Sequence, residues 1–283
     1  MSLVTLPAPL QLDAEFALRP AEFERIRQLI YQRAGISLHP GKQAMVYSRL
    51  SRRLRETGHG NFASYLQWLE GADGEDEWQE FVNSLTTNLT SFFREPHHFV
   101  ALVEDLRARA AMSAAPLRLW CNAASTGEEP YSIAMAVVEA LGVSANVALV
   151  ASDIDTKVLN TAHRGVYDAQ SRGLSAERLR RHFLRGTGSN GGQIRVRPEL
   201  SRLLTFQPFN LTSHDWSGFG EPFDIVFCRN VMIYFDADTQ RRVLERLHRV
   251  MRRGGLLYAG HSENFSDART LFRLRGKTIY ERM

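Results

Sequence analysis

Cysteine is nearly missing from this chain: Cys121 and Cys228 are the only two. That is too few for a disulfide framework or a cysteine-built zinc site. No apolar run reaches the ~18 residues a membrane-spanning helix requires. The opening segment, MSLVTLPAPLQLDAEFALRP, has no basic stretch ahead of its weak apolar run, so it does not read as a secretory signal. Repeats and low-complexity tracts are absent as well. These gaps exclude disulfide scaffolds, spanning helices and fibrous arrays, and leave a reduced cytoplasmic chain without membrane insertion as the expectation. What is present is ordinary globular material: 283 residues, 44% hydrophobic and 23% charged. That length predicts roughly two domains with a sizeable core.

Charge is unevenly placed. The net charge is +4. Residues 42–55 carry Lys42, Arg49, Arg52, Arg53 and Arg55 with no acid, whereas residues 70–80 carry six acids and no base. Residues 164–202 hold nine arginines against Asp168, Glu177 and Glu199. Such patches attract acidic partners, although solvated surface charge accounts for them equally well.

Apolar spacing divides the chain. Phe23, Ile26 and Ile30 predict an amphipathic helix over 21–34, stopped at Gly35, and Val46, Leu50 and Leu54 predict another over 42–57. Residues 62–70 and 77–89 read as two more, giving a helical N-terminal domain over 21–90 behind a flexible segment 1–20. After Pro116 the pattern changes to short apolar strands at 117–121, 146–152, 203–207, 223–228, 256–260 and 278–281. Helices at 128–141, 156–163 and 238–251 alternate with them. This alternation predicts a mostly parallel α/β domain over 91–283. Residues 165–202 break the rhythm, and their glycine-rich RGTGSNGG turn predicts a small antiparallel β insertion.

The strand–turn–helix at 117–140 carries the first chemical signal. A small-residue turn after the first strand of a doubly wound sheet lets a ligand approach the backbone, and an acid ending the next strand can accept ribose hydroxyls. Asp153 lies 26 residues beyond Gly127. The turn is not GxGxxG, however, and Glu128 and Glu129 at the helix start repel a diphosphate. A cationic ligand bearing a ribose but no phosphate, S-adenosylmethionine, fits better. Alternatively, the two glutamates simply complement the helix dipole. His97, His98 and His261 lack metal-ligand spacing, and Cys121, Cys228 and Trp120 read as core.

Six ordered segments, NLTSFFRE (88–95), AASTGEEPYSIAM (123–135), ASDIDTKVLNTA (151–162), FQPFNL (206–211), FDIVFCRNVMIYF (223–235) and GGLLYAGHSE (254–263), resemble the CheR family of chemotaxis receptor methyltransferases. The resemblance runs from about residue 20 to the C-terminus. It implies a Rossmann-like S-adenosylmethionine-dependent methyltransferase domain preceded by an all-α domain. The implied activity is methyl transfer to glutamate side chains of methyl-accepting receptors, yielding S-adenosylhomocysteine and glutamyl methyl esters without a metal. It further implies a cofactor site of Asn88, Thr90, Arg94, Glu128, Asp153, Asn210, Leu211, Arg229 and Asn230. Arg94 and Tyr234 are the expected substrate-side residues, with a pocket-organising or structural Arg94 and a capping Tyr234 as the alternatives.

For receptor docking the expectations are Arg49, Arg52 and Arg53 toward the methylation helices. Arg185, Gly186, Arg195 and Arg197 in the insertion are expected to meet the receptor's C-terminal tail peptide, which only some members bind. Tethering of that kind raises effective substrate concentration. Nucleic acid is not an expected partner, and a monomer is the default. Two other readings compete: a non-catalytic receptor adaptor, and an RNA methyltransferase favoured by the basic patches alone.

Overall fold

The computed structural model describes residues 15–112, 114–265 and 268–283. It divides into two compact units, one ending at Thr86 and one beginning at Thr87. The flexible segment expected over 1–20 falls largely on residues 1–14, which lie outside the described residues. No helix among the described residues is long and apolar enough to cross a membrane.

The first unit is helical. Helix α1 (Pro20–Ala34) starts on a proline suited to a first turn, and Glu22 reaches back to accept the Arg19 amide at 2.7 Å. Its stop is Gly35 in the left-handed conformation, and Gly58 ends α2 (Gln43–Thr57) the same way. Helix α3 (Phe62–Leu69) is capped by Asn61, whose side chain accepts the Ser64 amide at 2.8 Å. Helix α4 (Glu77–Leu85) ends four residues before the expected 89, because Thr86 is already extended. Ile26, Ile30, Val46, Leu50, Leu54, Phe62 and Phe81 are fully buried, as their spacing required.

The basic face of α2 needs correction. Arg53 is not free for docking: its guanidinium donates to both oxygens of buried Glu77, at 2.8 and 2.6 Å. Glu77 also accepts the Tyr65 hydroxyl at 2.9 Å. The acidic run at 70–80 thus supplies counter-charge for Arg53 of the basic run, through Glu77 and Glu80. Arg49 donates to the Thr86 carbonyl at 2.6 Å. Arg52 remains on the surface, paired with Glu56 at 2.7 Å.

In the second unit, α5 (Pro96–Met112) precedes the first strand. There follow β1 (Leu117–Cys121), α6 (Glu128–Leu141), β2 (Val147–Asp153), α7 (Thr156–Arg164), β3 (Val166–Asp168), α8 (Ala176–His182), β4 (Phe183–Arg185), β5 (Gln193–Val196), α9 (Pro198–Ser201) and β6 (Leu204–Pro208). The chain closes with β7 (Phe223–Cys228), α10 (Ala237–Val250), β8 (Met251–Ala259), β9 (Phe272–Gly276) and β10 (Ile279–Arg282).

Among the described residues the main sheet has seven strands in the order β6-β2-β1-β7-β8-β10-β9. It is parallel from β6 through β8, and β10 runs antiparallel to β8 and β9. Strand alternation assigns its two cores. Leu119, Cys121, Ile225 and Phe227 pack on one face, and Trp120, Val226 and Cys228 on the other. Both faces are covered, which a parallel sheet requires.

The insertion forms a second sheet, β3-β5-β4, antiparallel throughout. Phe183, Ile194 and Val196 join it to the larger core, while Arg185 and Arg195 are exposed.

The buried Arg53–Glu77 pair gives a stability test. Glu77→Ala removes the two-bond partner of Arg53, leaving it Glu56 and Glu80, and frees the buried Tyr65 hydroxyl, so urea unfolding should show a loss of about 1–3 kcal/mol. Arg52→Ala should change stability by no more than about 0.5 kcal/mol. Equal losses would show that Arg53 is not the structural member of the pair.

Candidate active site

Strand order places the site. The chain travels outward from β1 to β2 and β6, then returns to lay β7 on the other side of β1. The crevice at such a switch point lies beyond the carboxyl ends of the strands. The segments there are Asn122–Gly127 after β1, Asp153 ending β2, Phe209–Leu211 after β6 and Arg229–Val231 after β7.

The turn after β1 is forced by packing. Gly127 has φ 101°, and a Cβ there would sit 2.4 Å from the Tyr167 hydroxyl and 2.8 Å from Ala162 Cβ. The Tyr167 hydroxyl donates to the Thr126 carbonyl at 2.8 Å, so the insertion helps fix the turn. Thr126 donates in turn to Glu128 at 2.6 Å. Asp153 is buried and accepts the amides of Ser125 at 2.8 Å and Asp155 at 3.0 Å. Burial, with Asp155 nearby, outweighs those bonds and raises its pKa to about 6.

A strap, residues 87–95, lies against this turn. Asn88 donates to Asp155 at 2.8 Å, and Asp155 also caps α7 through the Lys157 amide at 2.9 Å. Ser125 donates to the Asn88 carbonyl at 3.2 Å, and the Phe93 amide donates to Ser132 at 2.9 Å. Half-buried Arg94 donates to the Leu89 carbonyl at 2.9 Å, a bond that shapes the strap itself. Thr90 lies between them, half-buried. Asn210 folds its amide oxygen back on Thr212, accepting its amide at 2.9 Å and its hydroxyl at 2.7 Å.

Two of the expected cofactor residues turn their side chains inward. That of Arg229 is fully buried. It donates to Glu129 at 2.6 Å and to the Arg94 carbonyl at 2.6 Å, and lies 3.4 Å from Glu95. The physical reason is Glu129, which is buried in the first turn of α6 and requires a counter-charge. Burial still pushes the Glu129 pKa up, against the pull of Arg229. Leu211 likewise turns its side chain into the core, leaving its backbone toward the crevice end of β6. Asn230 has φ 58°, and Tyr234 is half-buried at the end of the short turn Met232–Tyr234.

Three acids were not singled out from the sequence: Asp155, Glu95 and Glu263. Glu95 gathers Arg229, His261 and His98 around it. Burial raises its pKa, but Arg229 and His261 outweigh that and hold it below the usual carboxylate range. Contrary to expectation, His97 and His98 do have an acidic neighbour: donor atoms of Glu95, His97 and His98 lie within 4.8 Å of one another. Burial lowers the His98 pKa to about 4, and its Nε2 lies 2.9 Å from the Lys277 carbonyl. Burial raises both thiols, keeping Cys121 and Cys228 protonated and inert.

The donor set matches the expected ligand. Glu128, Asp153 and Asp155 lie at the crevice, and the turn Asn122–Gly127 contains no lysine or arginine. A diphosphate is repelled there, whereas a cationic sulfonium nucleoside is not. Fold and site together define a Rossmann-like methyltransferase of the S-adenosylmethionine-binding kind.

Comparison with known proteins sharpens this. Residues 88–280 match the CheR methyltransferase SAM-binding domain, and residues 21–86 match the CheR all-alpha domain. The chain belongs to the CheR family. It is 52% identical to the chemotaxis protein methyltransferase of Klebsiella aerogenes, over 95% of this chain and 92% of that protein. It is 50% identical to that of Escherichia coli, over 96% and 94%. It is 51% identical to chemotaxis protein methyltransferase 2 of Pseudomonas aeruginosa, over 97% of each chain.

The geometry at Gly127 yields a direct test. Gly127→Ala must relieve two close contacts at a φ that disfavours a side chain, at a cost of about 1–3 kcal/mol. It should also weaken S-adenosylhomocysteine binding, measured by calorimetry. Unchanged binding would show that the turn does not shape the cofactor site.

Proposed function

We propose that this chain transfers the methyl group of S-adenosylmethionine to glutamate side-chain carboxylates of methyl-accepting chemotaxis receptors, forming glutamyl methyl esters. The observation that carries the proposal is the base-free turn at the switch point, flanked by Glu128 at the start of α6 and Asp153 at the end of β2, in a chain about half identical to chemotaxis methyltransferases along nearly its whole length.

In this reading Asp153 accepts the ribose hydroxyls, and Glu128 attracts the cationic methionine end. Asn210 and the Leu211 backbone flank the adenine, while Asn88, Thr90 and Asn230 complete the pocket. Arg229 and Glu129 act from beneath by fixing the strap. When bound, S-adenosylmethionine supplies a methyl carbon already activated by a sulfonium leaving group.

The acceptor glutamate has an ordinary pKa near ~4.3 and is ionised at pH 7. Its oxygen displaces the sulfur in line: a C–O bond forms as the C–S bond breaks, and the opposite charges cancel. Neither a general base nor a metal is required. The protein's task is orientation, with the reacting atoms held about 3 Å apart. Arg94 and Tyr234 hold and aim the carboxylate. Arg94 must not bind it too tightly, because ground-state stabilisation slows the step. Its bond to the Leu89 carbonyl shares the guanidinium with the strap and moderates that grip.

Arg49 and Arg52 supply a basic face for acidic methylation helices. Arg185, Gly186, Arg195 and Arg197, on or beside the small sheet, fit a carboxylate-ended tail peptide. The working protein is then a cytoplasmic monomer with receptors, not nucleic acid, as its partner.

The deciding assay follows label from S-adenosylmethionine into a receptor cytoplasmic fragment and then applies mild alkali. Release as methanol is expected. Alkali-stable label, or label in RNA instead, overturns the acceptor, and cofactor binding without turnover supports an adaptor. Arg94→Ala should lower kcat/KM at least about 100-fold, matching a lost positioning contact.

Asp153 gives a pH signature. Its folded pKa of about 6 exceeds the ordinary 3.8, so its stabilising contribution is present below about 4 and is lost as pH rises through about 6. Cofactor binding runs the other way, because the ionised form is the better acceptor for ribose hydroxyls. S-adenosylhomocysteine affinity should therefore fall as pH drops through about 6, and Asp153→Asn should flatten that dependence. An unchanged profile in the variant would remove Asp153 from the cofactor site.

A further inference from the structure

Glu263 is buried yet belongs to none of the ion pairs described above. Its carboxylate instead accepts four backbone amides from two loops. One oxygen takes Gly260 at 2.6 Å and Asn230 at 3.0 Å, and the other takes Val231 at 2.9 Å and Met232 at 2.8 Å. The loop after β7 is thereby stitched to the loop after β8. Three consecutive amides converging on one carboxylate dictate the backbone path, and that path puts Asn230 in the left-handed region at φ 58°. A side-chain residue pays for such a conformation unless its surroundings fix it.

Gly260 supplies the second constraint. A Cβ there would lie 2.5 Å from Asn230 Nδ2 and 2.9 Å from Glu263 Oε2. The Asn230 amide is thus laid against the bare backbone of Gly260, with the Glu263 carboxylate alongside. Two residues outside the crevice therefore set both the backbone and the side chain of one inside it.

We infer that Glu263, seated against Gly260, is the positioning residue that orients Asn230 for cofactor binding. This rests on the reading of Asn230 as a cofactor contact. Glu263 acts through Asn230 and touches no substrate. Replacing the carboxylate by an amide turns one of its two acceptor atoms into a donor facing backbone N–H groups, so the loop must re-route.

The test is a double-mutant cycle on the full chain, with S-adenosylhomocysteine as the probe in titration calorimetry. Glu263→Gln should weaken binding about tenfold or more, with binding stoichiometry unchanged. Asn230→Ala should also weaken it, and the double variant should be no weaker than the worse single one. Glu263→Asp, which keeps the acceptor charge, should recover part of the affinity.

If Glu263→Gln binds normally, or if the two losses multiply in full, the inference is overturned. A purely structural role would lower the bound fraction and the unfolding midpoint while leaving Kd alone, which also overturns it. Normal binding by Asn230→Ala would instead refute the cofactor reading of Asn230, and this inference with it. Should Glu263→Gln fail to fold, Gly260→Ala keeps the carboxylate and tests the same contact. A wild-type Kd for that variant would likewise count against the inference.

Discussion

The Arg229 guanidinium is the constraint on which the crevice depends. It is fully enclosed, and it joins three segments far apart in sequence: the first turn of α6 through Glu129, the strap through the Arg94 carbonyl and Glu95, and the end of β7 by its own backbone. Burying two charges is expensive, and the mutual attraction offsets the desolvation only when further hydrogen bonds complete the arrangement. Here the Arg94 carbonyl accepts from Arg229 at 2.6 Å and the Cys121 thiol donates to Glu129 at 3.4 Å, while Arg229 Nε has no partner among the described residues; these bonds fix the strap relative to the switch point. Without the arginine, Glu129 would be a lone buried carboxylate and the Arg94 carbonyl would lose its donor. The geometry of the crevice therefore rests on a residue whose side chain is wholly enclosed.

From that anchor the electrostatics of the crevice follow. Glu129 is neutralised from within, so it does not contribute to the field that a ligand meets. Glu128, the next residue along, stays half-buried at the helix start and is held by Thr126. Adjacent glutamates in one motif thus differ in setting, one buried against Arg229 and one half-exposed at the crevice. Asp153 and Asp155 differ similarly: Asp155 caps α7 and holds Asn88, while Asp153 is the buried acid at the end of β2, bonded to the Ser125 and Asp155 amides.

The parts legible in the sequence are those whose physics is local. The strand LRLWC, its small-residue turn and the helix after it are marked by periodicity and glycine, and the α2 face by 3.6-residue spacing. Which arginine on that face is available was not legible, because the answer lies in Glu77, 24 residues away from Arg53. Helix α5 has the helical spacing, with Phe99, Leu102 and Leu106 buried, but His97 and His98 open it and exposed Val100 and Met112 blur its apolar face. Strand β9, FRLRG, carries its arginines on a sheet edge and exposes Leu274, so it lacks the apolar signature of the central strands. The inward turn of Leu211 and the burial of Arg229 are tertiary facts. A family motif identifies such residues without distinguishing those that touch a ligand from those that hold the ones that do.

That distinction bears on catalysis in this class of reaction. Displacement at a sulfonium carbon needs no proton moved and no charge created, so little is left for a general acid or base to do. What remains is alignment, and alignment is set by the segments that carry the side chains. Three of those segments hold backbone that side-chain residues rarely adopt: Phe93 and Glu95 in the strap, Ser125 in the turn after β1, and Asn230 after β7, all with positive φ. Such conformations persist only where neighbouring bonds over-determine them. Here they are over-determined by Ser132 on Phe93, by Arg229 and His261 around Glu95, and by Glu263 beneath Asn230. The buried charges of this unit are thus concentrated where backbone precision is needed, and the reacting groups can remain simple.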